Sequence, residues 1–361
     1  MVPAHAALVA ARLRSQLLTG PPATGAEEVV RRLLAVQAQD PAGARLTVRS
    51  RSAGLHAADV DAALNSRSLI VTWVNRGTLH LIGAEDYWWL HRLTTPQLAT
   101  QNRRRLDQEG VTPAQAARGV EVVSEAVATD GPLTRPDLTA RLDDAGVPTA
   151  GQAVVHVLVA ATLAGRIVRG PMRGRQQAFV SVVDWLGDPP EPRPRAEELA
   201  RLARRYLTGH SPAGPEDLAK WAGITLGDAR TAMAGVAEEV VAFPGVDRLV
   251  TLASVDEEVG KGAALPPPRL HGAFDPLLLG WASRSDWIGE HHGLVTTNGI
   301  FRPFALVGGR AVATWSVTTK GLTIRPLEPV APRSLDALLV DGNDVLRFLA
   351  RPPNLKVTIE G

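Results

Sequence analysis

Cysteine is absent from all 361 residues of the chain, which removes disulfides, thiolate zinc sites, iron–sulfur clusters and cysteine nucleophiles together. Lysine is scarce: of 39 basic side chains only Lys220, Lys261, Lys320 and Lys356 are lysines, so an amine nucleophile has few possible sources. No apolar run is long enough to cross a bilayer, and no charged-then-apolar leader ends in a cleavage site. The expected location is the cytoplasm, with no membrane partner. The glycine-rich stretches show neither a Walker nor a dinucleotide fingerprint, and no Gly-x-Ser-x-Gly elbow occurs. His291-His292 lacks the spacing of a metal site and reads as loop without an acidic partner, so no metal and no cofactor are expected. What remains, 45% hydrophobic and 21% charged residues, is the composition of an ordinary globular protein, long enough for roughly two to four compact units.

The net charge of +2 says little by itself, but it is unevenly spread. Residues 1–110 carry 13 basic and 9 acidic side chains, and residues 111–185 are balanced at 7 and 7. Residues 186–264 carry 9 and 13, and residues 265–361 carry 10 and 8. Arginine supplies nearly all the positive charge, and its planar fork suits phosphates and guanine edges. A GC-rich genome would give the same usage, so the local clusters decide.

The order of elements points to an α+β chain of tandem winged helix-turn-helix modules, about three of them. The middle module, residues 111–188, opens with a helix whose apolar face runs through Val120, Val123, Ala126 and Val127. Gly131-Pro132 breaks it. A short helix follows from Thr134, then a third over Gly151–Ala164, then strands at Arg166–Arg169 and Gln177–Val180 around the turn Gly170–Gly174. The same order recurs about 80 positions later, in residues 195–264. There Gly214-Pro215 is the break, Leu226–Val236 the third helix, and Val240–Leu252 the hairpin. A looser version occupies residues 1–110, with helices at Ala4–Leu18 and Ala26–Val36, one after Asp40 and one at Ala58–Leu64. It ends in a hairpin of Ile70–Val74 and Thr78–Ile82 around Asn75-Arg76-Gly77, and Asp86 is expected to cap the helix after it. The proline runs at 189–194 and 266–268 mark module edges. Residues 265–361 are strand-rich at Phe304–Val307, Ala311–Ser316 and Leu322–Ile324, and they predict an antiparallel, barrel-like sheet closed by a helix over Leu335–Ala350.

The most unusual local feature is Val36-Gln37-Ala38-Gln39-Asp40. Each glutamine amide has two donors and two acceptor lone pairs to satisfy. On a helix, residues two apart diverge by about 200°, whereas an extended segment or helix end puts both amides on one side. Asp40-Pro41 supports such a break. Two readings stand: a solvated helix terminus with Asp40 as the next N-cap, or a pair of amides holding a water or polar substrate.

The basic hairpin is the clearest nucleic-acid feature. Arg166, Arg169, Arg173 and Arg175 fall within ten residues with no acidic residue among them, and a Gly-Arg tip can approach phosphates or enter a minor groove. Arg45, Arg49 and Arg51 are expected on the same surface, whereas Arg103-Arg104-Arg105 read as an exposed helix face. His80 alternates with leucines, so it reads as a strand residue pointing away from the core, solvated or hydrogen-bonded. Trp88, Trp89, Trp281 and Trp287 read as core anchors.

Together the segments Leu33–Pro41, Val71–Leu81, Gly170–Arg175, Ala203–Leu207, Phe301–Pro303 and Thr314-Trp315 resemble the AlkZ-type winged-helix DNA glycosylases, over nearly the whole chain and in the same order. The resemblance implies a C-shaped arrangement with a basic concave surface for duplex DNA. It implies excision of N7-alkylguanine, including interstrand crosslinks of the azinomycin type, as antibiotic self-resistance. Carried onto this chain, Gln37 and Gln39 become the catalytic pair. The DNA-binding set is expected to be Arg45, Arg49, Arg51, Arg76, His80, Arg166, Arg169, Arg173 and Arg175. Glutamine cannot act as a general base near neutral pH, but N7 alkylation leaves a cationic purine that departs without protonation. The amides then need only hold a water and stabilise an oxocarbenium-like sugar. No lysine lies near the motif, so a monofunctional enzyme is expected, and bulky crosslinks favour an open cleft over a deep flipping pocket. The partner is double-stranded DNA with alkylated or crosslinked guanine, and internally repeated modules make a monomer the expected state. The alternatives are a winged-helix transcription regulator without catalysis, and a scavenger of the alkylating drug.

Overall fold

The computed structural model describes residues 4–255 and 265–360. Lys261 and the last residues of the third sequence module, 256–264, lie outside them. By contacts the chain forms two compact units, Met1–Val60 with Leu199–Gly361, and Asp61–Glu198. The four sequence segments divide the chain by recurrence of pattern, these units by density of contact. Among the described residues no helix is long and apolar enough to cross a membrane.

The unit of residues 61–198 is built from two hairpins and the helices that cover them. Strands Leu69–Val74 and Thr78–Gly83 pair without a break from Leu69↔Gly83 to Val74↔Thr78. The turn works because Asn75 and Gly77 take positive φ, 55° and 79°, which these residue types accept at low cost. Strands Ile167–Arg173 and Gln176–Ser181 form the second hairpin. The Val71↔Arg169 pairing places both hairpins in one sheet, although the sequence assigns them to separate modules. Helices Pro113–Asp130, Arg135–Asp144 and Ala153–Leu163 precede the second hairpin. Their starts are written locally: Thr112 and Gln115 form a capping box, as do Thr134 and Asp137, each followed by proline in the first turn.

The other unit starts with helices Ala4–Ser15 and Ala26–Leu33, strand Ala35–Gln37 and helix Pro41–Arg49. It continues through helices Arg195–His210, Pro215–Ala222 and Leu226–Ala234, and a short hairpin of Val240–Ala242 with Val250–Leu252. Its C-terminal sheet corrects the sequence reading. Arg269–His271, Phe304–Val307, Arg310–Val317, Gly321–Pro326 and Lys356–Ile359 form an open five-stranded sheet, and the last two strands pair in parallel. The reason is the connection. Helix Pro332–Phe348 carries the chain back to its starting end, so the strand after it runs in the same direction as the one before it. The first and last strands stay at opposite edges, and no barrel closes. Leu270, Ala313, Trp315, Ile324, Leu338, Val345 and Phe348 form the core of this sheet and helix, and Leu46 packs into it. The helix that follows the glutamine motif is thereby anchored in the C-terminal core.

Candidate functional site: the glutamine segment and the arginine hairpin

Helix Ala26–Leu33 buries Val29, Val30 and Leu33. It stops three residues earlier than the hydrophobic pattern predicts. Leu34, fully buried, adopts φ 64° and ψ −51°, a conformation that costs a non-glycine residue about 1–3 kcal/mol and persists only where the surroundings enforce it. That turn converts helix into the short strand Ala35–Gln37. The extended chain then puts residues 37 and 39 on one side, and Gln37 Nε2 donates to Gln39 Oε1 at 2.6 Å. Gln37 is buried and Gln39 exposed. Asp40 Oδ1 accepts from the amides of Ala42 at 2.9 Å and Gly43 at 3.1 Å, so its carboxylate caps the next helix and Pro41 fills the first turn. Gly43 lies against the backbone of Ala273, so closely that a Cβ would collide with the Ala273 carbonyl oxygen. The pair is thus held by a strained turn before it and a capped, tightly seated helix after it.

The three arginines next to the motif do not share a surface. Arg45 is half-buried, and its guanidinium donates to the Pro41 carbonyl oxygen at 2.9 Å. Arg49 and Arg51, expected to face DNA, are buried instead. Arg49 pairs with Asp341 and Asp344 and donates to the Leu270 carbonyl oxygen. Arg51 clamps Asp275 through two hydrogen bonds of 2.8 and 2.9 Å, and neither side chain is exposed. Its NH2 group also donates to Gln16 Oε1 at 2.8 Å. Burial alone would raise the Asp275 carboxyl, but Arg51 and His271, which lies 3.1 Å away, hold it far below the usual carboxylate range. The carboxylate partners sit more than 200 positions along the chain, which is why a local reading gave these arginines to DNA.

In the unit of residues 61–198, Arg166, Arg173 and Arg175 are exposed on the second hairpin. Arg173 donates to the Pro132 carbonyl oxygen at 2.6 Å. Arg169 turns the other way. Its guanidinium lies 4.9 Å from the Trp73 ring centroid and 5.0 Å from that of Phe179, and burial, helped by nearby Arg135, lowers it to about 10. It therefore remains a cation at neutral pH, held between aromatic faces. Arg76 is half-buried at the tip of the first hairpin. His80 departs from expectation: it is buried, with 2% of its surface exposed, because both faces of its hairpin are covered. Its Nδ1 lies 2.9 Å from the Thr78 carbonyl oxygen. Burial, with Arg76 adding, lowers His80 to about 3, so the ring is neutral and Nδ1–H is the donor.

Trp89, Trp281 and Trp287 are buried and Trp88 is half-buried. Asp86 makes no capping bond; its carboxylate accepts from Trp89 Nε1 at 3.0 Å. His291 does have an acidic partner, Glu328 at 2.8 Å, but no group of metal-ligating side chains occurs among the described residues. Sequence reasoning missed Ser15, Gln16 and Gly209, which surround the end of helix Ala26–Leu33. No local pattern marks them.

Chemically, the glutamine pair offers oriented amide dipoles without a titratable group, and the hairpin offers a cationic edge. Residues 30–348 match the family model described as DNA glycosylase AlkZ-like. A Streptomyces sahachiroi protein described as an interstrand DNA cross-link repair glycosylase is 29% identical over 338 residues, covering 87% of this chain and 88% of that relative. The solved structure of Streptomyces sahachiroi DNA glycosylase AlkZ is similar with a TM-score of 0.79 at 25% identity, covering 98% of this chain and 99% of that one.

Proposed function

Since the chain belongs to the AlkZ-like DNA glycosylase family, we propose that it hydrolyses the N-glycosidic bond of N7-alkylguanine in duplex DNA, interstrand crosslinks included, and leaves an abasic site. The observation that carries this reading is the Gln37–Gln39 hydrogen bond at the end of a strained, fixed turn. Gln37, buried, holds its neighbour by donating to Oε1. Gln39, exposed, presents its amide to the substrate. The base leaves when the C1′–N9 bond breaks and its electron pair neutralises the cationic purine, so no acid is required. Water adds to C1′ and releases its proton to solvent. The amide carbonyl dipoles orient that water and lower the energy of the oxocarbenium-like sugar. The chemistry suits labile, charged adducts and predicts little activity on normal bases.

The motif segment carries no lysine, the amine that a lyase step would require, which supports a monofunctional reaction. Residues 111–188 and 195–264 are read as winged-helix modules, with Arg166, Arg173 and Arg175 as phosphate contacts and Arg45 and Arg76 as further DNA contacts, each within its own unit. His80, buried, and Arg169, packed between aromatic faces, support the two hairpins from inside. The test is incubation with duplex DNA containing N7-methylguanine, scored for free base and alkali-labile sites. Wild type is expected to release base. Gln37→Ala and Gln39→Ala are expected to bind the same duplex and release far less. Equal release by both variants removes the mechanism, and binding without any release by wild type favours a transcription regulator.

A further inference from the structure

The helix end that feeds the glutamine pair is clamped inside its own unit. Gly209, in the last turn of helix Arg195–His210, lies on the backbone of Arg32 and Leu33. A Cβ at Gly209 would collide with the Arg32 carbonyl oxygen and sit 3.1 Å from Leu33 Cα. The Gly209 carbonyl oxygen accepts from Gln16 Nε2 at 2.9 Å and from Ser15 Oγ at 3.4 Å. Arg32 Nε donates to the Ser15 carbonyl oxygen at 3.0 Å, closing the triangle. The other end of the Gln16 amide accepts from Arg51, so the junction is tied to the buried Arg51–Asp275 pair. Ser15 and Gln16 have no exposed surface. Two residues beyond Arg32 comes Leu34, whose positive φ aims the strand that carries Gln37.

Stability alone does not call for this construction. A glycine inside a helix weakens it, and a buried amide is costly unless every bond is made. What glycine and a two-ended amide give is a fixed distance and a fixed rotation. We propose that the junction of Ser15, Gln16 and Gly209 is a positioning device for the catalytic pair, setting where helix Ala26–Leu33 ends and hence where the Gln39 amide sits. The proposal rests on the glycosylase reading of Gln37 and Gln39.

Its test compares Gly209→Ala and Gln16→Glu with two controls in the same unit, Gly235→Ala, whose Cβ would lie 2.7 Å from Ala200 Cβ, and Gly342→Ala, whose Cβ would lie 2.6 Å from Val357 Cγ1. Gln16→Glu keeps size and keeps an acceptor for Arg51, but sets a carboxylate oxygen against the Gly209 carbonyl. It therefore carries the test should Gly209→Ala fail to fold. Three quantities are read: single-turnover release of N7-methylguanine, affinity for the same duplex, and the side-chain amide signals of Gln37 and Gln39 in glutamine-labelled protein. The junction variants are expected to lose on the order of a hundredfold in rate with affinity retained and both amide signals displaced. The controls are expected to keep the wild-type rate and signals whatever they lose in melting temperature. A rate that simply follows melting temperature across all four variants overturns the proposal. So do unmoved Gln37 and Gln39 signals in the junction variants. Should wild type release no base, the glycosylase reading fails while the amide signals still decide the junction.

Discussion

The segment around Gln37 and Gln39 and the hairpin around Arg173 use opposite means. The first is fixed at every step. A positive φ at Leu34, glycines pressed on neighbouring backbone, a capped helix start and a buried ion pair leave the backbone little freedom. The second leaves Arg166, Arg173 and Arg175 exposed around the turn at Gly174 and commits only Arg169 to packing. Under the proposed reaction the difference follows from how each interaction depends on distance. An oriented amide acting on a water and a sugar loses its effect within an ångström, whereas attraction between a guanidinium and phosphates extends over a Debye length of about 8 Å at physiological salt. Rigidity is needed where the interaction is short-ranged, and an exposed edge serves where it is long-ranged.

The strongest way to break the fixed side is to remove Asp275. Asp275→Ala leaves the Arg51 guanidinium buried without its counter-charge, and the expected cost is about 3–5 kcal/mol of stability, read as a fall in melting temperature. An unchanged melting temperature would show that the pair does not brace the segment. Next in size is the exposed amide. Gln39→Ala is expected to slow base release by on the order of 10²–10³-fold while melting and binding as wild type does; a loss of binding instead would move Gln39 from chemistry to affinity.

The hairpin should respond differently. Arg173→Ala combined with Arg175→Ala is expected to weaken DNA binding and to reduce the slope of log affinity against log salt by about 2, with release at saturating DNA unchanged. A change in the saturated rate would erase the contrast between the two regions. The smallest effect, taken over the first pH unit below 6.5, is in pH dependence. Burial, then Arg76, lowers His80 to about 3, and burial also takes His210 to about 3. Both are neutral when folded, while the unfolded chain takes up protons near 6.5. The stability they contribute is complete above that value and declines as pH falls from 6.5 toward 3, by about 1.4 kcal/mol per pH unit for each ring. His80→Gln should flatten the melting-temperature profile in mild acid by about one proton's linkage; an unchanged profile would place His80 in contact with solvent.

Much of the fold was legible because its signals are local. The helix start at Thr134, the breaks at Gly131-Pro132 and Gly214-Pro215, and the Asn75–Gly77 turn each lie within a few residues of what they specify. Of the candidate site, the residue pair and the chain break after it were legible from Gln-x-Gln followed by Asp-Pro, and the structure chose between a solvated terminus and two converging amides. Three things were not. The helix runs to Leu33 and not to Val36, because Leu34 takes a positive φ in a fully buried setting that the periodicity of its own segment does not encode. Arg49 and Arg51 face carboxylates and not phosphates. His80 is buried because the sheet is covered on both faces, which an alternating strand pattern does not reveal.

Residue chemistry alone determined which reactions were excluded, roughly where the helices and hairpins begin, and that two neutral amides flank one small residue at a chain break. Tertiary structure decided which charges are paired and which are free, where the first strand starts, and that the C-terminal sheet stays open. The division is physical. Caps, turns and periodicity act between neighbours in sequence, but the partner of a buried charge and the packing around a helix end are contacts between segments brought together only when the chain folds.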